Sequence, residues 1–83
     1  MYSITVRNMS SNPDIQVTFR RVPNSIAKRV FNTATLAFKS VEAFDEETGE
    51  IVATFYRSSE WFIEEDSCGA IIDRINRIIV NEA

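Results

Sequence analysis

The feature that most limits what this chain can fold into is a change in hydrophobic period, made and then repeated. Residues 2–7, "YSITVR", alternate: Tyr2, Ile4 and Val6 fall on one face, and Ser3, Thr5 and Arg7 on the other. A period of two is the signature of a half-buried strand. "NMSSNPD" (8–14) is turn chemistry. Alternation returns in "IQVTFRR" (15–21), where Ile15, Val17 and Phe19 share a face, so residues 2–21 predict an antiparallel hairpin.

Pro23 ends that pattern, and Asn24 or Ser25 offers an N-cap. From Ile26 the apolar residues Ala27, Val30, Phe31, Ala34, Ala37 and Phe38 recur at three and four. This spacing predicts an amphipathic helix of about 14 residues. Near Ser40 the period reverts to two. "SVEAF" and "EIVATFYR" read as strands around "DEETG", with Gly49 placed for a positive φ in the turn. Residues 51–56 are apolar on both faces, which suits a central strand or an interface strand.

After "SSEWFIEED", read as an irregular crossing, Asp66 or Ser67 can cap a second helix running to about Val80. Its apolar stripe is Cys68, Ile71, Ile72, Ile75, Ile78 and Ile79. The expected order is β-β-α-β-β-α. This is an α+β fold in which two amphipathic helices cover one face of a four-stranded antiparallel sheet. Eighty-three residues make a single domain, 1–83, since the chain is too short for two cores.

Charge is unevenly distributed along this order. Residues 1–41 hold six basic residues against one acid, and residues 42–83 hold three against eleven, so the net charge of −3 hides a split between halves. If the split persists in space, it makes an oriented field that steers association. The acids around the turn (Asp45, Glu46, Glu47) and those of the crossing (Glu60, Glu64, Glu65, Asp66) are candidates to face a basic surface on a partner protein. Tyr56, Trp61 and Phe62 are candidate aromatic anchors among them. Acids are also tolerated in turns and favoured at helix N-termini, and Trp61 also suits the space between sheet and helix. Both readings stay open on sequence alone.

Several function classes lose ground. The chain has no histidine, which removes the side chain best suited to proton transfer near neutral pH and the commonest transition-metal ligand. Only Gly49 and Gly69 exist, too few for a glycine-rich phosphate loop. The single cysteine, Cys68, reads as a small apolar filler, and Glu64, Glu65 and Asp73 lack the spacing of a calcium loop. No catalytic, cofactor-binding or metal site is expected. A nucleic-acid surface on Arg20, Arg21, Lys28 and Arg29 is the alternative, set against a pI near 4.8 where such domains usually exceed about 9. A homodimer or larger assembly, paired through a strand edge or the isoleucine stripe, is a third reading. With one cysteine, no long apolar run and no signal-like leader, a cytoplasmic location is expected.

In size, acidity and α+β organisation the chain resembles small phage-encoded proteins that bind and inhibit a bacterial host protein, anti-CRISPR-like inhibitors among them. The resemblance is one of overall character and assigns no residue a role. It implies a non-enzymatic binder that meets a host protein through an acidic and aromatic surface in the host cytoplasm.

Overall fold

A computed structural model describes residues 1–8, 15–57 and 65–82, the side chains of 65–67 and 82 excepted. The two expected strands of the first hairpin are β1 (Tyr2–Asn8) and β2 (Ile15–Val22). They are followed by helix α1 (Asn24–Ala34), strands β3 (Ser40–Asp45) and β4 (Ile51–Tyr56), and helix α2 (Glu65–Glu82). The order ββαββα and the single antiparallel sheet are those the periodicity predicts. No helix among the described residues is long and apolar enough to cross a membrane.

Within the sheet the strands lie in the order β2-β1-β3-β4. Helix α1 therefore carries the chain from β2, past β1, to the far side of β1, where β3 pairs. Register follows the alternation. Val6 lies between Val17 and Val41, and Ile4 between Phe19 and Ala43, so one face of the sheet is continuously apolar. Against it come Ile26, Val30 and Ala34 of α1, Phe38 beyond its end, and Cys68, Ile75 and Ile78 of α2. Each fully buried large side chain contributes about 1.5–3 kcal/mol over leaving it in water. The opposite face carries Ser3, Thr5, Thr18, Glu42 and Thr54, with the Thr5 and Thr18 hydroxyls 3.1 Å apart across the ladder.

Three local expectations need correction. Neither Asn24 nor Ser25 caps α1. The helix begins at Asn24, Pro23 occupies the cap position with no side-chain bond, and the Ile26 N–H donates to the Pro23 carbonyl at 3.1 Å. Proline at that place ends β2 with its fixed φ and brings no N–H that must be satisfied. Helix α1 is also shorter than the apolar spacing suggested, at 11 residues. Its last turn tightens into i→i+3 bonds, Leu36 to Thr33 and Ala37 to Ala34, while the Arg57 guanidinium donates to the Thr35 carbonyl. Ala37 and Phe38 stay buried, so the apolar spacing marked a face correctly and a helix end wrongly. The third correction concerns α2, which begins at Glu65, so positions 66 and 67 lie inside the helix and not at its cap. Of the two places open to β4, central or interface strand, the central one is removed, because β4 pairs only with β3 among the described strands.

Gly49 does take a positive φ, +74°, and its N–H donates to the Asp45 carbonyl at 2.7 Å to close the β3–β4 turn.

Candidate interaction surface

Strand β4 and the turn before it carry the described part of the expected surface. Asp45 ends β3, half-buried, and its Oδ1 accepts the Glu47 N–H at 2.9 Å. Glu46 is exposed but engaged: its Oε2 accepts from the Ser3 hydroxyl at 2.7 Å and from the Arg21 N–H at 2.8 Å. The Ser3 bond, then the Arg21 N–H, hold its carboxyl below the ordinary value, helped by the positive charges of the N-terminus and Arg21. The Glu46 N–H donates in turn to the Met1 carbonyl at 3.1 Å. Glu46 thus reaches over the start of β1 to β2 and ties the acidic turn to a basic strand end. Glu47 and Glu50 are exposed.

Along β4 itself, Ile51 is 54% exposed, Val52 52% and Tyr56 77%, and no residue from 51 to 56 is charged. Val52 is an extra residue in the ladder: Ala43 faces Ala53 and Phe44 faces Ile51, so β4 takes two steps where β3 takes one. Such a bulge re-aims the side chains around it. Val52 and Ala53 form one wall of an apolar groove of about 260 Å³, and Ala27, Lys28 and Phe31 of α1 form another. Tyr2 and Asn24 also line it. The groove is open to solvent beside the outermost strand.

Glu60, Trp61, Phe62 and Glu64 lie outside the described residues. Glu65 and Asp66 are in the first turn of α2, and their side chains also lie outside the description. Of the four basic residues of the nucleic-acid reading, Arg20 and Arg21 are exposed on β2 and Lys28 and Arg29 are exposed on α1. Arg20 lines the depression that includes Ser3 and Thr18, and Lys28 lines the groove with Val52 and Ala53. At the acidic turn the two halves of the sequence interleave, because β1 of the first half pairs with β3 of the second and the Glu46 carboxylate accepts the Arg21 backbone N–H.

On the open face of the sheet a broad depression of about 480 Å³ is lined by Ser3, Thr18, Arg20, Phe44, Asp45 and Glu46 among others. Within it the Ser3 hydroxyl donates to Glu46 Oε2, the same oxygen that accepts the Arg21 N–H. Cys68 is buried, with its Sγ donating to the Ala37 carbonyl at 3.6 Å and accepting from Asn8 Nδ2 at 3.5 Å. Among the described residues no group of three or more acids or cysteines is placed to hold a metal ion.

Sequence reasoning missed the groove, because its walls come from residues some twenty-five positions apart that only the sheet order unites. The one available signal was the charge-free strand apolar on both faces. Searches of protein-family models, curated proteins and solved structures each find no match to this chain.

Proposed function

We propose that this chain is a non-enzymatic protein-binding module whose partner lies along β4 and the adjoining turn. The observation that supports this reading is an outermost strand without a charged side chain, exposing Ile51, Val52 and Tyr56 next to an apolar groove. Such strands are templates for pairing with another chain unless they are guarded. Tyr56 supplies a large amphipathic anchor, and Glu47 and Glu50 bias the choice toward a basic partner. The segment 60–66, which follows Tyr56 in the chain, brings further acids and Trp61 to the same proposal. An inhibitor of the phage-encoded kind is one form such a module takes, acting by occluding a host protein's surface.

The test is affinity capture from a bacterial lysate with the wild-type chain and with Val52→Lys and Tyr56→Ser, at low and high salt. A captured protein lost with the edge variants supports the reading. Capture unchanged by both variants defeats it. Recovery of nucleic acid instead, with steep loss on adding salt, favours the phosphate-binding alternative.

A further inference from the structure

The partner's chemistry can be taken further, on the reading that β4 is the docking edge. We infer that β4 accepts an extended, antiparallel segment of a partner protein that presents an apolar residue followed, two or three positions later, by a lysine or arginine.

The backbone sets the pairing. The Arg57 N–H donates to the Lys39 carbonyl at 2.8 Å, toward β3. By the alternation of an antiparallel ladder, the N–H and C=O groups of Thr54 and Tyr56 point the other way, outward from the sheet. An added strand that bonds to these groups extends a sheet whose every described pairing is antiparallel. Its residue opposite Ala53 then has its side chain on the helix-covered face, because Ala53 is on that face, opposite Ala43. That is where the groove opens, walled by Val52, Ala53, Ala27 and Phe31. Its volume of about 260 Å³ admits one large aliphatic or aromatic side chain. Lys28 in the same wall disfavours a basic residue there.

Charge then sets direction. Beyond Val52 the edge runs into the turn with Glu50, Glu47 and Asp45, about 7–10 Å from Ala53 along the strand. Glu46, in the same turn, is held by Ser3 and Arg21 and is not counted on. An antiparallel partner travels toward this turn, so its basic residue follows its apolar one. Reversing that order would place the base at the opposite end of β4, away from Glu47 and Glu50.

The experiment uses the full chain as bait for a display library of random 12-residue peptides, selected at low salt. Synthetic copies of the enriched peptides are then titrated against wild type, Thr54→Pro and the pair Glu47→Lys with Glu50→Lys. Thr54→Pro removes an outward N–H on an edge strand, where proline is tolerated. An unchanged denaturation midpoint and circular dichroism verify its fold, and Val52→Lys, which obstructs the groove, is the second blocking variant. The expected result is enrichment of apolar-then-basic order, with affinity falling about tenfold or more on Thr54→Pro, since ladder bonds are lost. The charge reversal should weaken binding about threefold at low salt and less at high salt. Absence of that order, or enriched peptides indifferent to both blocking variants, overturns the inference. So does a dimer in sedimentation at tens of micromolar that Thr54→Pro dissolves, for then a second copy covers the edge. If lysate capture still depends on Val52 and Tyr56 while the peptides show no such order, the binding-module reading survives and only the strand chemistry falls.

Discussion

The two edges of this sheet are built alike and finished differently. Each carries an extra residue near the same end: β2 in the step from Phe19 to Val22 that faces Ile4 to Tyr2, and β4 at Val52. On β2 that step carries Arg20 and Arg21, both exposed. Arg21 adopts φ +55° with its N–H turned onto the Glu46 carboxylate. Charge, a left-handed residue and a satisfied amide all work against a further strand pairing there. On β4 the extra residue is an exposed valine between an exposed isoleucine and a groove. Natural sheets guard their edges, and the contrast between this apolar edge and its protected counterpart is what the proposed pairing along β4 rests on.

The contrast can be broken or sharpened by substitution. The largest effect belongs to the frame both edges share. Ile75 is fully buried in α2, and Ile75→Ala should cost about 2–5 kcal/mol, read from the denaturation midpoint. A shift too small for that range would mean that α2 does not support the sheet as described. Next comes the guarded edge. A β-branched side chain is poorly tolerated at positive φ, so Arg21→Val should destabilise by about 1–2 kcal/mol. Equal stability in the two proteins would remove the left-handed residue from the account of how β2 is protected.

At the open edge the same kind of change should be nearly silent for folding. Val52→Lys is expected to move stability by no more than about 0.5 kcal/mol while abolishing partner capture. Strong destabilisation would instead place Val52 in the core. The smallest effect concerns the clasp between turn and β2. Because the Glu46 carboxyl lies below its ordinary value in the folded chain, its contribution is present above the unfolded value and fades as pH falls through the folded one. Wild type should therefore exceed Glu46→Gln in midpoint at neutral pH, and the difference should close in acid. A gap independent of pH would show that the contact acts without its charge.

Particular residues show how far the sequence could be read. Gly49 announced its turn because only glycine takes a positive φ without cost, and the isoleucine stripe of α2 announced a helix because its spacing repeats every turn. Arg21 gave no such sign. Its conformation follows from an extra residue that pairing with β1 forces into β2, and nothing within five residues of Arg21 specifies that pairing. Glu46 read in the sequence as one of the turn acids open to a basic partner, or else solvated. Its partners, Ser3 and Arg21, are 43 and 25 positions away.

The order of elements, the fold class and the buried face of every element but β4 were decided by the sequence alone, since side-chain period is a property of the local backbone. Which strand lies outermost was not. A strand apolar on both faces is equally suited to the middle of a sheet and to an unguarded rim. Only the passage of α1 across β1, which sends β3 and then β4 to the far side, assigned residues 51–56 to the rim and brought the groove beside them. Neighbour relations depend on contacts distant in the chain, and no local pattern encodes them.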